Sequence, residues 1–291
     1  MEIKLNVGAS PIWNKDGWLI LDHKASRNSD RYIRGDAAEI DLPDESCSVL
    51  FCSHMLEHVP HYKIQRTLLE FSRVLKPGGV LRLLVPDLER IAKAYVEKDE
   101  AFFDKALEED KNIRQDLGIG GKFMNFVISP GQDTVLVDRG LSEFVGGYAH
   151  LYAYDFGMMK ILLDGCGFSD VRKVGFCESS VAEFSEPMHV TGLPPVWRAF
   201  NDQFFKDNKL THVYENGRYN INFTITGFDK NPITSLIIEA RKSKTVRLSS
   251  ENDMNGQSAS NYNRYGGSLL FDTEFKSELE KRGIQPGIWG K

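Results

Sequence analysis

The chain lacks three things that would place it quickly: paired cysteines, a long apolar run and an excess of positive charge. Its four cysteines, Cys47, Cys52, Cys166 and Cys177, form no C-x-x-C pair, and at least three lie in or beside apolar runs. That scatter argues against a zinc knuckle or a disulfide framework. It favours buried thiols in a reducing compartment, the cytoplasm. The N-terminus, M-E-I-K-L-N-V-G, lacks the charged-then-apolar layout of a secretion signal. No stretch approaches the roughly 20 apolar residues of a membrane-spanning helix. A net charge of −5 gives no general attraction to nucleic acid or anionic membrane. What remains is an ordinary soluble composition, 41% hydrophobic and 26% charged over 291 residues. That length suits one domain with insertions, or one domain and a tail.

What is present is the pattern of a parallel sheet. Ile3 to Val7 reads as a strand ending at Gly8, and Trp18 to Leu21 as a second ending at Asp22. The spacer between them is too short for a full crossover helix, so a loop or a turn or two must serve. Tyr32 to Ile33 is a third strand running into Gly35-Asp36-Ala37. Val49 to Cys52 is a fourth, ending at Ser53 and His54. A helix-period stretch from Tyr62 to Leu75 stops at Lys76-Pro77-Gly78-Gly79, and Val80 to Val85 follows as a fifth strand, ending at Pro86-Asp87. In such sheets ligands bind beyond the carboxyl ends of the strands.

Further on, Asp87 to Asp116 reads as a charged helical stretch and Gly118 to Gly147 as glycine-rich and irregular. A helix over Asp155 to Leu163 precedes a sixth strand, Val171 to Phe176, and Ser235 to Ala240 is the last of the sheet. Arg218 to Thr226 alternates like a half-buried strand. Trp197, Phe200, Phe204 and Phe205 read as a packing face. Asn252 to Gly267 is polar and low in apolar surface, with a short helix expected near Thr273 to Lys281. There is no internal repeat.

The strings H-M-L-E-H, F-S-R-V-L-K-P-G-G and V-L-R-L-L-V-P-D, over residues 54–87, carry a resemblance to the class I S-adenosylmethionine-dependent methyltransferases of small-molecule type. The chain looks closest to a bacterial group found among cell-surface carbohydrate genes. The resemblance covers residues 2–90 and resumes at His150 to Phe168 and Ser235 to Lys242. It implies an α/β fold: a Rossmann-like, seven-stranded, mostly parallel sheet with helices on both faces. Insertions at about 88–149 and 178–234 would cover the strand ends. The domain would span 1–244, followed by a polar tail, 245–291. It also implies S-adenosylmethionine as cofactor and a small-molecule acceptor, an oxygen on a sugar or glycolipid precursor. The departure is at the first turn. The family's G-x-G-x-G is here Gly8-Ala9-Ser10-Pro11, which keeps open a non-catalytic binding or regulatory protein of the same fold.

On that resemblance Gly8, Asp22, Asp36, Ala37, Ser53 and His54 are the cofactor-binding candidates. Glycine admits close backbone approach. An acid after the second strand accepts from ribose hydroxyls, and a polar residue after the third meets the adenine amino group. Either acid alone could equally cap a loop. Asp87 faces the cleft or caps the next helix. His150, just before Leu151-Tyr152, is the candidate general base, or a histidine bound to a loop carbonyl.

His54-Met55-Leu56-Glu57-His58 also fits the inverted zinc-protease string, but the preceding strand and Pro60 forbid the long helix that chemistry needs. The similar segment of ubiquinone-pathway O-methyltransferases implies a divalent ion on His54, Glu57 and His58. The preferred expectation is no metal, with Glu57 and His58 capping the following helix. No nucleic-acid partner is expected, and the sequence does not speak to oligomeric state.

Overall fold

The computed structural model describes residues 2–9, 13, 15–22, 31–107, 117–128, 150–185, 188 and 234–243. The chain divides into two compact units, Met1–Val246 and Arg247–Lys291, and every described residue belongs to the first.

Seven strands form one sheet in the order β3-β2-β1-β4-β5-β7-β6: β1 Ile3–Val7, β2 Trp18–Asp22, β3 Tyr32–Arg34, β4 Cys47–Ser53, β5 Leu75–Pro86, β6 Phe168–Lys173 and β7 Ser235–Lys242. Strands β1 to β5 pair in parallel, and β7 runs antiparallel between β5 and β6. This is the expected mostly parallel, Rossmann-like α/β sheet. Its centre is β1, β4 and β5, whose apolar runs are buried on both faces, as parallel strands require. The order reverses between β1 and β4, so the carboxyl ends of these strands open a crevice at the switch point.

Five helices lie among the described residues. Helix α1, His61–Val74, puts Ile64, Leu68 and Phe71 on one stripe against β1, β4 and β5. Helices α2 (Leu88–Glu97), α3 (Glu100–Leu107) and α4 (Gly118–Ile128) follow β5. Helix α5, Phe156–Gly165, adds Met159 and Leu163 to the α1 face. On the other face Trp13, Trp18, Phe51 and Phe184 form an aromatic layer, with Phe184 supplied by a 3-10 turn, Ala182–Phe184.

Four local expectations change. The Lys76 to Gly79 stop belongs to β5 itself. Leu75 already pairs with Cys47, and pairing resumes at Val49 and Val80, so Pro77-Gly78-Gly79 bulge out of the strand. Gly78 takes φ +75°, and a Cβ on Gly79 would crowd the Lys76 and Ser48 carbonyls. The charged stretch after β5 is two helices, broken at Lys98, which adopts a left-handed φ of 58°. The stretch from Gly118, expected to be irregular, begins with a helix. Phe126 packs there against Phe103, Ile91 and Ala94, and this packing overrides the weak propensity of its glycines. Strand β6 starts at Phe168 rather than Val171, directly after Gly167. The Arg218 to Thr226 strand, the aromatic cluster at 197–205, the tail and its helix lie outside the described residues.

Candidate functional site

The carboxyl ends of the first three strands meet in register, Val7 beside Leu21 and Asp22 beside Arg34. Gly8 leaves β1 at φ +75° and donates its N–H to the Leu21 carbonyl at 2.8 Å. A Cβ there would overlap the Met55 side chain, so the backbone after β1 and the turn after β4 are in contact. Asp22 closes β2 and is buried at its end. Asp36 is exposed. One carboxylate oxygen accepts from Ala38 N at 2.9 Å, and the other lies 3.1 Å from Lys63 Nζ. Ala37 stands half-buried within that Asx turn. Gly8, Asp22, Asp36 and Ala37 therefore sit at the ends of three adjacent parallel strands. Among them are two carboxylates, one buried and one exposed, a type of group that can accept from hydroxyls or an amino group.

Strand β4 ends at buried Ser53, and the chain turns sharply at His54, a non-glycine residue held at φ 49°. The His54 side chain is buried. It points inward, with Nε2 2.9 Å from Ser235 Oγ and Nδ1 3.1 Å from Glu57 Oε1. The 3-10 turn Leu56–His58 follows. Glu57 and His58 do not cap α1, whose N-cap is Pro60 with no side-chain bond. Glu57 is instead fully buried. The His54 contact has the geometry of a charge contact rather than a hydrogen bond, so neither Glu57 oxygen accepts one from the described residues.

His150 reaches this carboxylate from far along the chain. The backbone makes the link, because Leu151 N donates to the Glu57 carbonyl at 2.7 Å. His150 Nδ1 lies 3.1 Å from the Phe126 carbonyl, which only accepts, so Nδ1 carries the proton. Nε2 then faces inward and has no hydrogen-bond partner among the described residues. Burial pushes the His150 pKa down; Glu57 pulls it up less strongly, and His54 pushes it down further. The His58 and His150 rings meet edge to face at 4.9 Å. One donor atom each from Glu57, His58 and His150 lies within 4.8 Å of the others. The Tyr154 hydroxyl, also buried without a hydrogen bond among the described residues, has its pKa raised by burial and then by Glu57. Burial and Glu57 also push up the Cys52 thiol.

Asp87 ends β5, but its carboxylate is buried as the N-cap of α2, accepting from Arg90 N at 3.3 Å with Lys173 Nζ 3.7 Å away. Of its two readings, the structure displays the cap. The central part of Glu57 and the inclusion of Tyr154 were not visible in the sequence. No spacing rule joins residue 57 to residue 150; only the backbone contact after folding does.

Residues 18–83 match the family model described as Methyltransferase domain. The matched stretch contains Asp22, Asp36, Ala37, Ser53 and His54 but not Gly8, Asp87 or His150. No curated protein sequence matches the chain. Among solved structures it is similar to a SAM dependent methyltransferase from Archaeoglobus fulgidus, at 14% identity over 83% of this chain and 86% of that one, TM-score 0.38. An S-adenosylmethionine dependent methyltransferase from Mesorhizobium loti shares 14% identity over 82% and 90% of the two chains, TM-score 0.40. Scores this low carry no inference about chemistry.

Proposed function

We propose that this chain is an S-adenosylmethionine-dependent methyltransferase of class I, acting on a small-molecule acceptor. The observation that carries the reading is the placement of Gly8, Asp22 and Asp36 at the ends of three neighbouring parallel strands, beside the switch point. The family match over 18–83 supports it. The bound cofactor would supply a sulfonium methyl open to attack by a nucleophile. Asp22 would accept from the ribose hydroxyls, while Asp36 and the Ala37 backbone meet the adenine. Asp36 is exposed, and its Lys63 contact is an exposed pair worth little. Ser53 and the backbone of His54 would line the methionine side.

The chain's own contribution would be alignment and exclusion of water. An oxygen on a sugar or glycolipid precursor is the acceptor this reading favours. Its proton would leave toward the Glu57, His58 and His150 group. Asp87 is given no chemical step, since its carboxylate is spent on α2. Cys47, Cys52 and Cys166 are buried thiols, which suits a reducing compartment such as the cytoplasm. Among the described residues no helix is long and apolar enough to cross a membrane. The domain would end near residue 244, leaving 245–291 as a separate segment.

Calorimetry with S-adenosylmethionine and with its demethylated product tests the reading. Wild type should bind both. Asp22→Asn should weaken each by about tenfold or more, the loss of a charge-assisted bond. No binding by wild type would overturn the proposal. Equal affinities would remove Asp22 from the site. Tight binding with no turnover on any hydroxylated acceptor would favour a non-catalytic protein of the same fold.

A further inference from the structure

We propose that Glu57, His58 and His150 hold a divalent transition-metal ion, of which zinc is the best match, at the carboxyl end of β4. The first ground is geometric. The three donor atoms converge within 4.8 Å, while a tetrahedral zinc holds its ligands roughly 3–3.5 Å apart. Small side-chain rotations close that gap.

The second ground is the polar account of the interior. Glu57 is fully buried and accepts no hydrogen bond from the described residues, which is costly unless something else compensates it. The His54 contact supplies only part of that compensation. Close by is His150, whose Nε2 is another buried atom without a hydrogen bond among the described residues, on a ring already committed by its other nitrogen to the Phe126 carbonyl. An imidazole fixed through Nδ1–H to a backbone carbonyl, with Nε2 presented inward, is how proteins orient a histidine for a metal. One cation would satisfy both orphaned groups at once.

The donor types select the ion. Two imidazoles and one carboxylate suit zinc and its first-row neighbours, whereas magnesium and calcium favour all-oxygen shells. Three protein ligands leave a coordination position open, which is the arrangement of reactive rather than purely structural zinc. With the ion in place the His150 lone pair is occupied, so His150 becomes a ligand and not the base. The inference does not depend on the methyltransferase reading, since metal binding and cofactor binding are measured separately.

The test uses full-length protein purified without a histidine tag, stripped with chelator and titrated with zinc sulfate by calorimetry. Stoichiometric binding is expected. Glu57→Gln keeps the shape of the side chain but removes its charge, and His150→Ala removes a nitrogen. Each should weaken zinc by roughly 100-fold or more, since losing even the groups that orient metal ligands costs about 10–100-fold. His61→Ala, which alters a ring stacked on Tyr152 outside the cluster, should leave the affinity unchanged. Zinc should raise the melting temperature of stripped wild type but not of Glu57→Gln. If His150→Ala does not fold, cobalt substitution of wild type decides: intense visible bands of a four-coordinate ion support the site. A weak six-coordinate spectrum, no zinc binding by wild type, or undiminished binding by Glu57→Gln would overturn it.

Discussion

Gly8 and Met55 occupy one space. Gly8 ends β1 with its backbone in the left-handed region, and the position a Cβ would take is filled by the Met55 side chain. Met55 in turn opens the 3-10 turn that carries Glu57 and His58. The end of the first strand and the turn of the buried cluster are thus packed as one unit.

That contact makes a two-part prediction. Gly8→Ala adds left-handed strain of about 1–2 kcal/mol and an overlap costing about 1–3 kcal/mol. Met55→Ala in the same chain should relieve the overlap and leave the strain. A double-mutant cycle in urea should therefore show favourable coupling between the two substitutions. Strict additivity would mean that the two sites do not share this space.

Strand identity was readable wherever an apolar run was long and bounded. The ends of β1, β2, β4 and β5 follow from Gly8, Asp22, Ser53-His54 and Pro86-Asp87. What escaped was set by contacts distant in sequence. The α4 helix exists because Phe126 finds Phe103 and Ile91, not because its glycine-rich sequence favours a helix. The place of His54 after β4 was visible, but only the fold brings Ser235 of the last strand to 2.9 Å from its ring. His150 and Glu57 were each noticed, but their convergence needs the Leu151–Glu57 backbone bond.

A second prediction concerns the sheet's buried charge pair. Arg82 on β5 faces Glu239 on β7 at 2.6 Å, both buried, with Arg82 also donating to the Glu178 and Gly175 carbonyls. Burial pushes the Arg82 pKa down, and Glu239 restores it in part. Glu239→Ala strands the guanidinium in the core and should cost about 3–5 kcal/mol. Arg82→Met combined with Glu239→Leu removes both charges and should be the milder change. Chemical denaturation ranks the two, and a double variant weaker than Glu239→Ala would show that the carbonyl contacts of Arg82 dominate.

The last prediction follows from the arginine of F-S-R-V-L-K-P-G-G. Arg73 on α1 donates to both Glu70 oxygens, at 2.7 and 2.8 Å, and to the Leu42 and Ile40 carbonyls. Glu70 in turn accepts from Ile40 N. The pair clamps the segment after β3, which carries Asp36, onto the helix. Burial alone would raise the Glu70 pKa. The bonds from Arg73 and Ile40 outweigh it and hold the carboxyl below its usual 4.5. A depressed folded-state pKa contributes stability that is complete above the unfolded value and is lost as the pH falls through the folded one. Wild type should therefore exceed Glu70→Gln by about 1–3 kcal/mol near neutral pH, as charge-assisted bonds with few solvent contacts allow. The gap should shrink once the pH drops below about 4.5. Urea midpoints for both proteins across that range measure it. A difference that stays constant into strong acid would show that the Glu70 carboxyl is not held ionised by Arg73.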